Sequence, residues 1–221
     1  MAGREIVVYC TIYGSYDIPK HTVECRGVKE WRLYTDNPAI VAPGWNVVVE
    51  SPPVPDGTHP RMLAKWRKCV PPEDFEDSLY IDGSVVLHTS ELVDSVVSID
   101  SEWCMYPHPA RDCILDEAHA STHNKYAGLP VLDQAHSYIQ NGHGTHSGLW
   151  ACGIIGRKHT GRVVDAGKEW YSECCKWTYQ DQISLPVVLK KYGVLPSRLT
   201  VGGGLWGNAC FSLHAHQGGD V

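Results

Sequence analysis

The sequence predicts an α/β protein, and three observations indicate this class. Short runs of consecutive apolar residues, such as EIVVYCTI (residues 5–12), have the length and composition of strands that are buried on both faces. A segment with helical spacing, RMLAKWRKCV (residues 61–70), lies between such runs. Acidic residues directly follow two of the runs, at Asp36 and Asp82. In open α/β sheets, ligands bind in the crevice that the strand ends form.

Composition excludes several classes of protein. A chain of 221 residues with 43% hydrophobic residues can bury one sizeable core, so we expect a single domain over residues 1–221. The formal charge of -6 gives no overall basic field that would attract DNA or an anionic membrane, although a local basic groove would be compatible with it. No run reaches the roughly 18 apolar residues of a membrane span, and the N-terminus lacks a signal-peptide pattern. These features predict a cytoplasmic protein.

The nine cysteines are odd in number and scattered, and no pair has C-x-x-C spacing. This pattern predicts reduced, mostly buried thiols rather than a disulfide framework or a structural zinc site.

The first strand ends at Tyr13-Gly14-Ser15, which places Thr11 and Tyr13 where a nucleotide would bind. No G-x-G-x-x-G follows, which argues against NAD or FAD. A second strand (residues 30–35) ends at Asp36 before Asn-Pro, and a third (residues 45–50) is followed by a proline-rich stretch. The order of strands is therefore that of an α/β chain without the dinucleotide fingerprint.

The helix at residues 61–70 carries Arg61, Lys65 and Lys68 at spacings of four and three, which places three cations near one face. Such a face beside a strand tip could bind a diphosphate, because arginine and lysine are the usual phosphate ligands. The alternative is an ordinary solvated helix face.

The next strand lies in SLYIDGSVVL (residues 78–87), where Asp82 interrupts two apolar runs. Packing does not explain a carboxylate at this position, so Asp82 is a candidate functional residue at a strand tip. The alternative is a turn aspartate before glycine, as in many hairpins. A carboxylate next to a cationic helix is also what a metal-bridged nucleoside diphosphate requires.

Together these motifs, T-x-Y-G, Y-T-D-N, R-x-x-x-K and Y-I-D-G-S, resemble those of glycosyltransferases of the GT-A fold. The likeness is greatest to a little-characterised family that includes plant mucilage-related proteins. It is more distant to glycogenin and to bacterial lipopolysaccharide galactosyltransferases. The resemblance implies a Rossmann-like α/β fold with a central, mostly parallel sheet flanked by helices, and a nucleotide-sugar donor, with UDP as the nucleotide.

In these relatives an Asp-x-Asp pair at the strand tip binds manganese. The resemblance therefore implies a Mn or Mg ion at Asp82. Ser84 replaces the second carboxylate here, and a neutral hydroxyl is a poorer ligand for a hard divalent cation.

An H-P-x-R-D-C stretch begins at His108, and in the resembled family a similar stretch would hold the donor sugar or the acceptor. This resemblance assigns His108, Arg111 and Asp112 to that role. Alternatively, Arg111 forms an ion pair with Asp112 or Glu117, and His108 bonds a loop carbonyl.

The loop NGHGTHSG (residues 141–148) and the preceding helix contain His136, His143 and His146, which raises the question of a zinc site. The spacing is weak, and the glycines favour a mobile loop that folds over bound substrate. In the next predicted strand, LWACGIIGR (residues 149–157), the resemblance places Cys152 and Gly153 against the donor sugar.

Asp181 and Gln182 resemble the D-Q step of retaining galactosyl- and glucosyltransferases, which lies beneath the anomeric carbon. The resemblance implies that they form the catalytic floor and that transfer retains the anomeric configuration. The alternative is an aspartate that caps a helix. Near the C-terminus, His214 or His216 would complete the metal site, unless this segment is a tail.

The sequence therefore predicts transfer of a hexose from a nucleoside-diphosphate sugar to a hydroxyl of a glycan, a protein or a modified nucleobase. Three alternatives stay open: a non-catalytic nucleotide-sugar binding protein, a glycosyltransferase that acts on modified DNA bases, and a metal-dependent hydrolase. The hypothesis assigns nucleotide binding to one set of residues at the strand ends and on the basic helix: Thr11, Tyr13, Asp36, Arg61 and Lys65.

Overall fold

A computed structural model describes residues 5–55, 58–123 and 125–215. The strands in this part of the chain are β1 (Ile6–Ile12), β2 (Val28–Thr35), β3 (Asn46–Val49), β4 (Asp77–Ile81), β5 (Val85–Leu87), β6 (Trp103–Pro107), β7 (Trp150–Lys158), β8 (Ser197–Arg198) and β9 (Phe211–Leu213). The helices are α1 (Pro60–Cys69), α2 (Glu91–Ser98), α3 (Ile114–Ser121), α4 (Val131–Gln140), α5 (Gly161–Lys176) and α6 (Asp181–Tyr192).

Seven strands form a central sheet in the order β3-β2-β1-β4-β7-β6-β8. Strand β7 runs antiparallel to both of its neighbours, β4 and β6, whereas the other adjacent pairs are parallel. This arrangement confirms the predicted α/β class with a central, mostly parallel sheet flanked by helices.

Strand β1 explains why the first apolar run lacks polar alternation. Val7 and Tyr9 pack into a core cluster with residues of α1, α5 and α6, whereas Ile6 and Val8 pack on the opposite face with residues of α2. A strand that is covered on both faces needs apolar side chains at every position. The sheet therefore has its core on both sides, and a ligand must approach it at the strand ends.

The passage from β4 to β5 decides between the two interpretations of Asp82. Val85 N donates to Asp82 O at 2.9 Å, so the aspartate does begin a tight turn. The turn does not form a hairpin, because β5 leaves the central sheet and pairs antiparallel with β9. Strands β1 and β4 run parallel side by side, with Tyr9 opposite Tyr80. Asp82 therefore lies at the same edge of the central sheet as the end of β1.

Each of the nine cysteines lies in the described part of the chain as a free thiol, and all are buried except Cys25 and Cys175. Within the same residues, the helices fall short of the length and apolarity that crossing a membrane requires.

Helix α5 packs against the end of α1 at a position where only glycine fits. A Cβ added to Gly167 would lie 2.3 Å from the Cys69 carbonyl oxygen. Gly167→Ala should therefore lower the free energy of unfolding by about 1–3 kcal/mol, measured by urea denaturation. Gly161→Ala in the same helix is the matched control, because a Cβ there meets nothing within 4 Å. Equal stability of the two variants would contradict the close approach of α5 to α1.

Candidate functional site

Two adjoining pockets open at the edge of the sheet where β1 and β4 end. They share the side chains of five residues, and we call the combined space the cleft: Lys65, Lys68, Asp82, Lys125 and Tyr126. The first pocket, beside α1, is lined in addition by Thr11, Tyr16, Arg61 and Tyr179. The second pocket, beside the start of α6, is lined in addition by His108, Gly153, Asp181, Gln182 and Trp206.

The centre of the cleft is a chain of opposite charges. Lys65 Nζ donates to Asp181 Oδ2 at 2.6 Å, and Lys68 Nζ lies 2.8 Å from the same oxygen. Lys68 Nζ also donates to Asp82 Oδ1 at 3.2 Å. The side chains of Lys68 and Asp181 are each 4% exposed, whereas that of Asp82 is 32% exposed and faces the cleft. One buried ammonium thus joins the strand-tip carboxylate to the carboxylate at the start of α6.

Helix α1 positions both lysines. His59 is its N-cap and accepts a hydrogen bond from Arg61 N through Nδ1, and Pro60 occupies the first helical position. Lys65 and Lys68 are three residues apart, so they project from one face of the helix towards the carboxylates. The cationic face that the sequence predicts therefore exists, but it is largely buried instead of solvated.

The start of α6 positions Asp181. Gln180 is the N-cap, and its side chain accepts a hydrogen bond from Gln182 N. The carboxylate of Asp181, one residue further on, bonds the two lysines instead of capping the helix. A carboxylate at a helix N-terminus is also stabilised by the helix dipole. The structure thus places Asp181 and Gln182 on the wall of the cleft, where Gln182 Nε2 donates to Trp150 O at 3.0 Å.

The charges keep each other ionised. Burial opposes ionisation of Asp181, but Lys65 and Lys68 outweigh this effect and hold its pKa well below the ordinary value. Burial also opposes ionisation of Asp82, yet Lys68, Lys65 and the Tyr80 hydroxyl lower its pKa. For Lys68, the two carboxylates overcome burial and raise the pKa. At neutral pH the cleft therefore presents fixed ammonium groups and ionised carboxylates.

A second polar cluster supports the start of α6. Glu117 is buried, accepts a hydrogen bond from Arg111 Nε at 2.5 Å, and accepts another from Gln180 Nε2 at 2.8 Å. His108 Nδ1 accepts the backbone N–H of Arg111 at 3.0 Å. His108 lines the cleft, and Arg111 pairs with Glu117, as one of the alternatives predicts. Arg111 and Glu117 thus fix the N-cap residue, and with it the position of Asp181.

Asp112 lies apart from this cluster. Its Oδ1 is 2.7 Å from His146 Nδ1, and both side chains are about two-thirds exposed. The structure therefore separates Asp112 from the cleft.

Two partly buried histidines should make the stability depend on pH. Burial, reinforced by Arg111, lowers the pKa of His108 to about 4, and burial, reinforced by Arg157, lowers that of His159 to about 4. The unfolded chain therefore binds more protons than the folded protein between about pH 4 and 6.5, so stability should fall as the pH falls through this range. Urea midpoints measured from pH 7 to 4 test this expectation.

His108→Asn is the variant for this test, because its amide oxygen can accept the same backbone N–H without titrating. The slope of stability against pH should be smaller in this variant than in the parent protein. A parent midpoint that stays constant from pH 7 to 4.5 would show that these histidines are not held neutral.

Three predicted nucleotide-binding residues line the cleft, and two do not. Thr11, Arg61 and Lys65 line the pocket beside α1. Tyr13 is buried and its hydroxyl donates to Glu50 Oε1 at 2.7 Å, whereas Asp36 accepts hydrogen bonds from Gly14 N at 3.0 and 3.1 Å. These partners give Tyr13 and Asp36 roles in holding the loops after β1 and β2.

Aromatic and basic residues that sequence reasoning missed complete the first pocket. The Arg61 guanidinium lies over the rings of Tyr16 and Tyr179, 5.5 and 5.7 Å from their centroids. Lys125 lines both pockets, and desolvation together with the nearby Lys65 lowers its pKa. Tyr179 stands two residues before the Asp181-Gln182 step, so its position beside a recognised motif was the available signal.

The glycine-rich loop that borders the cleft is not the one predicted. Leu205 and Trp206, in the glycine-rich segment after β8, line the second pocket, and Trp206 is 65% exposed. His143, from residues 141–148, instead borders a separate pocket with Lys190. The expectation that residues 141–148 fold over bound substrate therefore has no support from the lining of the cleft.

Potential metal ligands occur at two places. Within the described ranges, the group of three whose ligand atoms all lie within 4.8 Å of one another is Cys113, Asp116 and His146. Of the three histidines considered for zinc, this group contains His146 alone. The His214 ring bonds Ser212 Oγ at 2.8 Å, while its backbone N donates to Ser84 O at 2.8 Å. The backbone thus approaches the Asp82 turn, and His216 lies outside the described residues.

The surroundings of Asp82 do not fit a divalent cation well. Asp82 Oδ1 accepts a hydrogen bond from the Tyr80 hydroxyl at 2.6 Å and faces the Lys68 ammonium at 3.2 Å. The second carboxylate of the Asp-x-Asp pattern is replaced by Ser84. A hard divalent ion requires several oxygen ligands, and an ammonium group already occupies the space between the carboxylates.

No family model and no curated protein matches the chain. Among solved structures, the chain is similar to the apo form of mouse xyloside xylosyltransferase 1, with a TM-score of 0.46 and 8% sequence identity. The match covers 88% of this chain and 85% of that chain. Similarity at this level does not establish a shared function.

Proposed function

We propose that the protein is a glycosyltransferase of the GT-A type that transfers a hexose from a nucleoside-diphosphate sugar to a hydroxyl acceptor. A single domain over residues 1–221 would have this activity. One observation supports this proposal above the others. Asp82 at a strand tip and Asp181 at a helix start lie in one cleft and share Lys68, with Arg61, Lys65 and Lys125 also on its walls. Such a cleft combines phosphate-binding cations with carboxylates that can face a sugar.

The charge of the cleft suits an anionic donor. Its walls carry four cationic side chains, Arg61, Lys65, Lys68 and Lys125, and three carboxylates, Asp17, Asp82 and Asp181. The cations thus outnumber the carboxylates by one before the donor binds. The ammonium and guanidinium groups would stabilise the negative charge of a bound diphosphate through charge-assisted hydrogen bonds.

We assign the nucleoside to the pocket beside α1 and the sugar to the pocket beside α6. Thr11, Tyr16 and Tyr179 would contact the base and ribose, and Arg61 and Lys65 the diphosphate. The base would be uracil, as the sequence resemblance implies. His108 and Gly153 would border the sugar, since both line the second pocket.

The reaction breaks the bond between the sugar C1 and the diphosphate oxygen, and the electron pair leaves with the diphosphate. The acceptor oxygen forms the new bond to C1, and its proton passes to the released diphosphate. Asp181 would stabilise positive charge that develops at C1, and Gln182 would orient a hydroxyl group without adding charge. Retention of the anomeric configuration is part of the proposal and follows from the D-Q resemblance.

A thermal-shift panel of nucleoside diphosphates and nucleotide-sugars, each with and without manganese, tests the proposal. One nucleotide-sugar at about 100 times its Kd should stabilise the protein by about 2.7 kcal/mol, which is a rise of several degrees in Tm. Nucleoside monophosphates serve as the control, because they lack the second phosphate. The absence of a shift with every diphosphate and every nucleotide-sugar would contradict the proposal.

A second candidate is a protein that binds the nucleotide-sugar without turnover. The observation that favours it is the pairing of Asp181 with two lysines, which reduces its ability to stabilise positive charge at C1. Mass spectrometry of donor incubated with a saturating protein concentration separates the two candidates. Release of nucleoside diphosphate together with free sugar, by transfer to water, supports the transferase, and binding of intact donor without hydrolysis supports the second candidate.

A further inference from the structure

The position of Lys68 is the starting point. Its Nζ lies 3.2 and 3.4 Å from the two oxygens of Asp82 and 2.8 Å from Asp181 Oδ2. The residue is 3% exposed, and its ammonium lies 5.5 Å from the centroid of the Tyr80 ring. Lys68 is therefore a buried cation held between two carboxylates of the cleft.

A divalent ion at the strand tip would have to compete with this arrangement. It would need Asp82 as a ligand, and Asp82 already faces Lys68 while accepting the Tyr80 hydroxyl. Moving the ammonium away would leave a buried lysine without its partners, which is strongly unfavourable. Ser84 does not restore the missing negative charge.

The ammonium can also do what a metal ion does for a diphosphate. A lysine ammonium has three N–H donors, and its two carboxylate partners engage two of them. Lys68 lines both pockets of the cleft, so its remaining N–H donor would be within reach of a phosphate oxygen bound between them. Lys65, which also lines both pockets, adds a second positive charge, so the pair supplies the charge of one divalent ion.

We infer that Lys68 is the resident cation of the donor site, that it takes the place of a divalent metal ion beside Asp82, and that nucleoside diphosphates bind without metal. This inference rests on the proposed function, because it concerns the same cleft. It differs from the metal-dependent site that the sequence resemblance implies.

Two measurements test it. The first is calorimetric titration of UDP, or of the nucleoside diphosphate that gives the largest thermal shift, in EDTA and in excess manganese. The affinity of the parent protein should agree within about twofold between the two conditions, which is a difference below 0.5 kcal/mol. In EDTA, Lys68→Met should bind the nucleotide at least about tenfold more weakly, because a charge-assisted contact is lost.

The second measurement is manganese binding by electron paramagnetic resonance, without nucleotide. The parent protein should show no bound-manganese signal that disappears when Asp82 is replaced by alanine. Lys68→Met should show such an Asp82-dependent signal, because Asp82 and Asp181 then face each other without the ammonium. Lys176→Met is the control variant, since Lys176 is 61% exposed on α5 and should match the parent protein in both experiments.

The outcomes separate the inference from the proposed function. Nucleotide binding that requires manganese, or an Asp82-dependent manganese signal in the parent protein, overturns the inference and leaves the proposed function intact. No nucleotide binding in either condition overturns the proposed function, while the manganese signals still decide whether Lys68 occupies the metal position. If Lys68→Met does not fold, the parent measurements and Lys68→Arg, which should retain metal-independent binding, decide the question.

Discussion

Asp181→Ala should lower the free energy of unfolding by about 3–5 kcal/mol, the usual effect of removing one member of a buried ion pair. The substitution would leave Lys65 and Lys68 close together, with side chains that are 13% and 4% exposed. Asp82 would be the carboxylate left beside Lys68, at 3.2 Å. Urea denaturation of the parent protein and the variant at neutral pH measures the effect.

Controls distinguish lost charge from lost volume and from surface effects. Asp181→Asn keeps the side-chain size and should also destabilise the protein, because the amide removes the counter-charge that Lys65 and Lys68 share and leaves Lys68 with Asp82 alone. Asp112→Ala removes a carboxylate that is 65% exposed and should change stability by less than about 0.5 kcal/mol.

A double-mutant cycle tests the specific contact. Lys68→Met in the Asp181→Ala background should recover part of the lost stability, because it removes a buried charge that has lost a partner. An unfolding free energy for Asp181→Ala within about 1 kcal/mol of the parent value would show that the lysines are not held by this carboxylate.

The Arg61→Ala/Lys65→Ala double variant should bind a nucleoside diphosphate about 100- to 10,000-fold more weakly than the parent protein. Each charge-assisted hydrogen bond contributes about 1.5–3 kcal/mol, and a tenfold change in affinity corresponds to about 1.4 kcal/mol. The fold should survive this change, because Lys68 remains 2.8 Å from Asp181 after Lys65 is removed. Calorimetric titration measures the affinity, and circular dichroism verifies the fold.

Lys168→Ala is the matched control for this variant. Lys168 is an exposed lysine that borders a separate groove with Arg32 and Arg67. Its removal should leave nucleotide affinity unchanged. A large loss of nucleotide affinity in the control, with little loss in the double variant, would indicate that the diphosphate binds in this groove and not in the cleft.

The strands and the basic helix were predictable from the sequence because their signals are local. The run at residues 5–12 is apolar throughout since β1 is covered on both faces, and it corresponds closely to Ile6–Ile12. The helix predicted at residues 61–70 begins at Pro60 and ends at Cys69. The spacing of Lys65 and Lys68 correctly placed both on one helix face.

The pairing of charges was not predictable, because it depends on contacts between distant segments. Spacing on α1 shows that Lys65 and Lys68 share a face, but not that this face meets the start of α6. Tyr13 likewise follows β1 as a candidate ligand residue, yet its hydroxyl reaches Glu50, at the end of β3, instead of the cleft. Side-chain direction after a strand ends is set by the loop, which sequence patterns do not define.

Composition was also a poor guide to loops and metal ligands. The chain has two glycine-rich segments, one after α4 (residues 141–148) and one after β8, which contains Trp206. Only the packing of the chain shows that the second segment, and not the first, borders the cleft. In the same way, His146 lies near Cys113 and Asp116, a grouping that no spacing in the sequence suggests.

A crystal structure of the protein with UDP, or with the nucleoside diphosphate that stabilises it most, tests the donor site most directly. We predict the diphosphate between α1 and the tip of β4, within hydrogen-bonding distance of Arg61 and Lys65, with Lys68 still in contact with Asp82. Density for the diphosphate in the groove that Arg32 and Arg67 border, with the cleft side chains unchanged, would contradict the proposed donor site.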